Sequence, residues 1–126
     1  MTTKPETESK AIGSLATHFE GHDASVHGDR WQALWEQAYT PWDRGQPSPA
    51  LIELLEERKD LVGECWTVDP AFGKRRKRAL VPGCGRGYDV LVLSAFGYDA
   101  YGLDISEAAM RAAAEHEKLK SGDEVY

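Results

Sequence analysis

The second half of the chain shows the hydrophobic pattern of strands and helices in alternation. An apolar run at residues 79–81 ends in a Pro-Gly pair, as a buried parallel strand does when it leads into a turn. Apolar residues over 88–96 predict a helix, and residues 100–103 predict a second strand. An Ala-, Glu- and Lys-rich helix follows over about residues 106–119. This order is typical of the start of an open, mostly parallel α/β sheet.

The first half predicts a helix that carries two tryptophans. Residues 28–39 place Trp31, Leu34 and Trp35 at helical spacing, with Asp29 as the candidate N-cap.

A proline-rich loop and a second helix follow. Residues 40–49 contain three prolines and a glycine, which exclude a regular helix or a central strand. Ser48 and Pro49 predict the cap and the first residue of a helix that extends over about 50–59. Residues 63–77 form a long connection without an assignable pattern.

Composition divides the chain into three segments. Residues 1–25 are polar and lack hydrophobic periodicity, so we expect a disordered tail, with a short helical turn over 11–19 as the alternative. Residues 26–62 form the helix and loop segment, and residues 63–126 begin the Rossmann-like part.

Size and charge indicate one soluble domain of 126 residues with a net charge of -6, which argues against a broad nucleic-acid surface. No apolar run approaches the roughly 20 residues of a membrane span, and the first residues lack the apolar segment of a secretory signal. We therefore expect a cytoplasmic location and no membrane partner. Cys65 and Cys84 are too few for a disulfide scaffold, and their spacing matches no zinc motif, so no metal site is predicted.

A basic run occupies residues 74–78, directly before the first predicted strand. Such a run occurs in nuclear-localisation and phosphate-binding patches, but short matches have a high false-positive rate. A solvated loop is the interpretation that we favour.

Gly83, Gly85 and Gly87 lie between the first predicted strand and its helix. Glycine lets the backbone approach a ligand closely or take a positive φ, and the helix directs its free N–H groups at the same place. A Gly-x-Gly-x-Gly turn is a weak signal by itself, because it also occurs in tight loops. Asp104 strengthens it, since it ends the next strand 17 positions after Gly87. A carboxylate at this place can accept both hydroxyls of an adenosine ribose, although it could instead cap the following helix, for which Ser106 is the better candidate.

Two features favour S-adenosylmethionine over a nicotinamide cofactor. The dinucleotide pattern requires its third glycine at the position that Tyr88 occupies. Trp31, Trp35 and Trp42 fall within twelve residues ahead of the glycine turn, and indole faces stabilise a cation such as a sulfonium by about 0.5–2 kcal/mol. Trp31 and Trp35 could instead pack a helix against the sheet, whereas Trp42 lies in a loop where packing explains less.

These residues resemble the thiopurine S-methyltransferase-like family, with the plant and fungal thiol and halide methyltransferases as the nearest branch. The resemblance extends from Trp31 to about Glu117 through three motifs in order: the tryptophans with Thr40–Pro49, the segment Leu80–Val90, and Gly102–Ser106. Pro82 stands where many methyltransferases have a carboxylate, and this family branch also has proline there.

The resemblance implies a class I methyltransferase fold, with a seven-stranded sheet between helices, of which this chain would be the N-terminal half with a helix and loop lid. It also implies a cytosolic, monomeric enzyme that uses S-adenosylmethionine and a small-molecule acceptor, a thiol or a halide. Trp31, Trp35 and Trp42 would contact the cofactor from the lid. Gly83 and Gly85 would approach its methionine part, and Asp104 would hold the ribose. The adenine contact and most of the acceptor pocket would lie beyond Tyr126.

No residue predicts a catalytic base, so the catalytic residues remain unassigned. His18, His22, His27 and His116 are expected to be solvated, and Cys84 is expected to be a packing residue. Three functions remain open. We favour the cofactor-binding part of a thiol or halide methyltransferase, which we expect to be inactive alone. The alternatives are a catalytically inactive binding or regulatory module and half of a nicotinamide-dependent oxidoreductase domain.

Overall fold

The computed structural model describes residues 15–120, which combine helices with two small sheets. The helices are α1 (His27–Glu36), α2 (Pro49–Glu57), α3 (Lys59–Val62), α4 (Tyr88–Ala95) and α5 (Glu107–Lys120). The strands are β1 (Trp66–Asp69), β2 (Gly73–Arg76), β3 (Arg78–Pro82) and β4 (Asp99–Leu103). Within these residues, no helix combines the length and the apolar character that a membrane crossing requires.

The parallel pair of β3 and β4 confirms the predicted strand–helix–strand–helix order. Leu80 lies opposite Tyr101 in the register, and Pro82 lies opposite Leu103. Helix α4 connects the two strands and packs against both, with Val92 fully buried. The two strands and the helix between them form the right arrangement for a ligand crevice at the carboxyl ends of the strands. The further strands that the resemblance implies stay a prediction.

The two faces of this sheet differ in exposure. Residues of β3 and β4 alternate between exposed and half-buried, and the exposed set includes Leu80 at 61%, Tyr101 at 49% and Leu103 at 58%. In a parallel sheet both faces are normally covered. Within residues 15–120 the face that carries these three side chains is therefore a large apolar surface in contact with solvent.

Helix α1 is attached to the start of α5. Gln32 Oε1 accepts hydrogen bonds from Ser106 Oγ at 2.6 Å and from the Ala108 N–H at 3.0 Å. A Cβ at Gly28 would lie only 2.8 Å from Ile105 Cδ1, so the absence of a side chain there allows the close approach. These contacts fix the tryptophan-bearing helix over the carboxyl end of β4.

Residues 63–77, which carried no assignable pattern, contain an antiparallel hairpin of β1 and β2. Trp66 pairs with Arg76 across the strands, and Asp69 Oδ1 closes the turn by accepting from the Ala71 and Phe72 N–H groups at 2.8 and 3.2 Å. Residues 74–76 of the basic run therefore lie on β2, and Arg78 begins β3, although the residues on β2 are solvent-exposed as expected. Cross-strand contacts to Trp66 stabilise this strand, and they are not visible in the local sequence.

The start of α1 differs from the prediction, whereas the start of α2 agrees with it. Asp29 is not the N-cap, because a 3-10 turn at Ala24–Val26 leads directly into a helix that begins at His27 and leaves Asp29 in its first turn. Ser48 is the N-cap of α2, because its Oγ accepts a hydrogen bond from the Leu51 N–H at 3.4 Å. Pro49 is the first helical residue.

The expected polar tail is only partly within the described chain, since residues 1–14 lie outside it. Residues 15–19 are helical, as the alternative of a short helical turn over 11–19 predicted for its described part. Two kinds of contact attach this segment to α1. The Phe19 ring lies 4.6 Å from that of Trp31, centroid to centroid, and Arg30 Nε and Nη2 donate to the His18 carbonyl oxygen at 3.0 and 2.6 Å.

Gly102 allows the glycine turn to pack on β4. A Cβ at residue 102 would lie 2.7 Å from Cys84 Sγ and 3.0 Å from Val90 Cγ2. We expect Gly102→Ala to lower the free energy of unfolding by about 1 kcal/mol, the lower end of the cost of overpacking. Urea denaturation measures it, and combining the change with Cys84→Ala should recover part of the loss. Equal stability of wild type and Gly102→Ala would contradict this packing.

Candidate functional site

All six residues that the sequence analysis assigned to the cofactor line one cavity of about 460 Å³. The cavity lies between α1, the proline-rich loop and the carboxyl ends of β3 and β4. Leu103 and Ile105 complete the lining and were not among the predicted residues, although they flank Asp104 in the sequence. The complete set is Trp31, Trp35, Trp42, Gly83, Gly85, Leu103, Asp104 and Ile105.

The glycine turn forms the floor of the cavity. Gly83 and Gly85 have φ of +64° and +53°, a region that L-residues with a side chain rarely adopt. A Cβ at Gly83 would meet no atom within 4 Å, so this part of the floor is open to a ligand. A Cβ at Gly85 would lie 3.3 Å from Trp35 Cζ2, which shows that the indole packs directly on the turn.

Asp104 joins the glycine turn to the end of β4. Its Oδ2 accepts from the Gly85 N–H at 2.9 Å, and its Oδ1 accepts from the Ser106 N–H at 2.9 Å. Ser106, not Asp104, caps α5, because Ser106 Oγ accepts from the Ala109 N–H at 3.1 Å. A carboxylate offers about four acceptor positions, so Asp104 retains two for a ligand in the cavity.

The three tryptophans form the wall opposite the turn. The Trp42 ring is edge-on to Trp31, with centroids 5.2 Å apart, and to Trp35 at 5.7 Å. Trp35 is also in contact with the turn, and the Arg86 guanidinium lies 5.4 Å from its ring centroid. Trp35 therefore has packing partners on two sides, whereas Trp42 is carried by a loop.

A smaller cavity of about 210 Å³ adjoins the first and shares Trp35, Trp42 and the glycine turn with it. In this cavity Asp43 accepts three hydrogen bonds. Its Oδ2 accepts from Arg86 Nε at 2.8 Å and from the Tyr88 hydroxyl at 3.1 Å, and its Oδ1 accepts from the Gly45 N–H at 2.8 Å. Burial raises the pKa of Asp43, but these hydrogen bonds and the charge of Arg86 outweigh it, so the pKa lies below its usual range. Asp43 is therefore ionised at neutral pH. Sequence reasoning did not identify Arg86 or Tyr88 as partners of Asp43.

Cys84 lies inside the turn without the properties of a nucleophile. Burial raises the pKa of its thiol, and the nearby Asp104 carboxylate raises it further. The thiol is thus protonated at neutral pH, whereas nucleophilic cysteines are thiolates. This agrees with the expected packing role.

Three histidines, His18, His27 and His116, differ from the expectation that all four are solvated. His27 is half-buried, and its ring lies 5.3 Å from that of Phe19, centroid to centroid. His18 is half-buried, and its Nε2 lies 2.9 Å from the Arg30 carbonyl oxygen. His116 packs edge-on to Tyr88, with ring centroids 4.8 Å apart and a buried Nε2. Burial lowers the pKa of His116, and the charges of Lys120 and Arg86 lower it further. His116 therefore stays neutral at pH 7 as part of the packing beneath the turn.

A comparison with protein families adds evidence that is independent of this geometry. The model of the thiopurine S-methyltransferase family matches residues 26–125, which include every residue of the cavity. The chain belongs to this family. Membership implies a class I methyltransferase fold.

Individual relatives agree with the family assignment. The chain is 38% identical to thiocyanate methyltransferase 1 of Brassica oleracea over 91 residues, which are 72% of this chain and 34% of the relative. It is 39% identical to probable thiol methyltransferase 2 of Arabidopsis thaliana over 80 residues, 64% of this chain and 29% of the relative. It is 30% identical to 2-heptyl-1-hydroxyquinolin-4(1H)-one methyltransferase of Mycobacteroides abscessus over 91 residues, which are 72% of this chain and 33% of the relative. The chain thus spans about a third of the length of the curated relatives that it matches.

Proposed function

We propose that this chain supplies the S-adenosylmethionine site of a methyltransferase that acts on a small thiol or halide. The observation that supports this most is the convergence of an aromatic wall, an open glycine turn and an acceptor carboxylate on one cavity. Its volume of about 460 Å³ falls in the range of roughly 300–1,000 Å³ that is usual for ligand pockets. Each part of the lining suits a different part of the cofactor.

The assignment of the parts follows from their chemistry. Asp104, with two acceptor positions left, suits the two ribose hydroxyls. The open floor at Gly83 suits the methionine part, which needs a close approach to the backbone. Trp42 suits the sulfonium, because an indole attracts a cation and shields it from water. Trp35 serves mainly to pack the wall against Gly85, since Arg86 already lies over its ring.

When bound, S-adenosylmethionine supplies a methyl group on a cationic sulfur, which a nucleophile attacks while the S–CH₃ electron pair remains on sulfur. The residues of this chain would hold that sulfur against the indoles and exclude water from the reaction path. A thiolate or halide needs no strong general base. This fits the larger cavity, whose described lining contains no ionisable side chain besides Asp104.

The acceptor class is proposed from the relatives' names, thiocyanate and thiol methyltransferase. The competing proposal, a binding module without catalysis, shares the same cofactor site. Transfer of a radiolabelled methyl group to thiocyanate, a small thiol or iodide by the longest form of the protein separates the two proposals. Methyl transfer to none of them, with the cofactor bound, would favour the binding module.

Titration calorimetry with S-adenosylhomocysteine and with NAD tests the cofactor itself. We expect saturable binding of S-adenosylhomocysteine and no heat of binding with NAD, because Tyr88 occupies the position of the third glycine that a dinucleotide turn requires. Binding of NAD alone would refute the methyltransferase proposal and support the oxidoreductase alternative.

A further inference from the structure

Three side chains, Asp43, Arg86 and Tyr88, connect the proline-rich loop to the residues that follow the glycine turn. We call them the Asp43 cluster. Asp43 and Arg86 form an ion pair with Nε to Oδ2 at 2.8 Å, and their side chains are only 13% and 33% exposed. Salt screens a partly buried pair less than a surface pair, and hydrogen bonds between charged groups are about twice as strong as neutral ones. The pair is thus the strongest polar link between the loop and the turn among the described contacts.

A second link fixes the other end of the loop to the same helix. The Ser48 N–H donates to Asp89 Oδ1 at 2.8 Å, and Asp89 lies in the first turn of α4. Asp43 and Ser48 thus attach the loop at two points to residues 86–89, which extend from the end of the glycine turn into the first turn of α4. The wall and the floor of the cavity consequently have a fixed spacing.

Trp42 depends on this attachment more than the other two tryptophans. Trp31 and Trp35 lie on α1, whose contacts to Ser106 and Ala108 hold it independently of the loop. Trp42 directly precedes Asp43 in a segment without regular secondary structure. Loss of the Asp43 cluster would therefore remove the polar link next to Trp42 and leave this side chain with its ring contacts to Trp31 and Trp35, while α1 stays in place.

We propose that the Asp43 cluster is a positioning site: it holds Trp42 over the glycine turn before a ligand enters the cavity. Arg86 and Tyr88 then strengthen cofactor binding through Trp42, without contributing a catalytic group. The physical basis is preorganisation, because a wall that is already ordered loses less conformational freedom when the ligand binds. The effect on affinity rests on the proposed cofactor site, whereas the effect on Trp42 does not.

The test compares Arg86→Gln with a matched control, Arg58→Gln. Arg58 forms an ion pair of the same type with Asp60 at 2.9 Å, but on the surface between α2 and α3. Two quantities are measured: the affinity for S-adenosylhomocysteine, and the indole N–H signals of the ligand-free protein in ¹H–¹⁵N spectra, assigned with single Trp→Phe variants. Trp42 is the diagnostic signal, because Trp35 contacts Arg86 directly and would shift in any case.

We expect Arg86→Gln to shift or broaden the Trp42 signal and to weaken S-adenosylhomocysteine by about 3- to 10-fold, with Arg58→Gln unchanged in both. Arg86→Lys should recover part of the affinity, since an ammonium group can still donate to Asp43. If Arg86→Gln does not fold by circular dichroism, Tyr88→Phe, which removes one hydroxyl, should give a smaller change in the same direction.

An unchanged Trp42 signal in a folded Arg86 or Tyr88 variant would overturn the positioning role. A shifted Trp42 signal together with wild-type affinity for S-adenosylhomocysteine would also overturn it. If the wild-type protein does not bind S-adenosylhomocysteine, the proposed function fails by itself, and the Trp42 signal still decides whether the cluster positions this side chain.

Discussion

Replacement of Asp104 by alanine should weaken the binding of S-adenosylmethionine by about 1.5–3 kcal/mol, the cost of losing hydrogen bonds to a charged group. The carboxylate has two functions in the proposed site. It accepts from the Gly85 and Ser106 N–H groups, which holds the turn at the end of β4, and it keeps two acceptor positions for the ribose. Calorimetry on the folded variant measures the change in affinity, and thermal unfolding measures any loss of the turn.

A matched control is available on the same strand. Asp99 begins β4, accepts from the Tyr101 hydroxyl at 2.9 Å and lies outside the cavity lining. Asp99→Ala should leave the affinity unchanged. Asp104→Asn, which keeps the shape but loses the charge, should give an intermediate value. Wild-type affinity in Asp104→Ala would mean that Asp104 only organises the turn and does not bind the ribose.

Replacement of Trp42 by alanine should reduce the affinity by about 2 kcal/mol, because a shielded indole–cation contact has this magnitude. Trp35→Ala should affect the affinity less and the stability more. The structural reason is that Trp35 packs on Gly85 on one side and on Arg86 on another, so its removal mainly leaves a gap in the protein. Affinity by calorimetry and stability by urea denaturation separate the two effects.

Trp66→Ala is the control for the loss of an indole, since Trp66 lies on the β1–β2 hairpin and not in the cavity. It should leave the affinity at the wild-type value. Binding should also change tryptophan fluorescence in wild type, and this change should be smaller in Trp42→Ala. Equal losses of affinity in Trp42→Ala and Trp35→Ala would refute the different roles assigned to the two side chains.

The sequence was most informative where structure follows from local pattern. The apolar run before Pro82, the glycines after it and the Ala-rich helix α5 each predict their own conformation, and the structure confirms these elements within a residue or two. Because the carboxyl ends of parallel strands meet at one edge, the order of these elements was also enough to place the turn beside Asp104. For this reason Gly83, Gly85 and Asp104 meet in one cavity, whereas the place of the three tryptophans in it was implied by the family resemblance.

The parts that were not predicted depend on contacts between distant residues. The hairpin of β1 and β2 requires the pairing of Trp66 with Arg76, and no periodicity in either strand indicates it. Asp43 meets Arg86 from 43 positions away, and Gln32 meets Ser106 from 74. The prediction that Asp29 is the N-cap of α1 was wrong for a related reason, because the preceding 3-10 turn makes the helix begin at His27. Some tertiary contacts of this kind override the conformation that the local sequence predicts. Others form where the local sequence predicts no structure.

The central claim is that the cavity between the tryptophans and the glycine turn binds S-adenosylmethionine. A crystal structure of the protein with S-adenosylhomocysteine tests it most directly. We expect the ribose hydroxyls within hydrogen-bonding distance of Asp104, the methionine part over Gly83, and the sulfur against Trp42. Density for the ligand at another place, or in this cavity with the ribose away from Asp104, would contradict it.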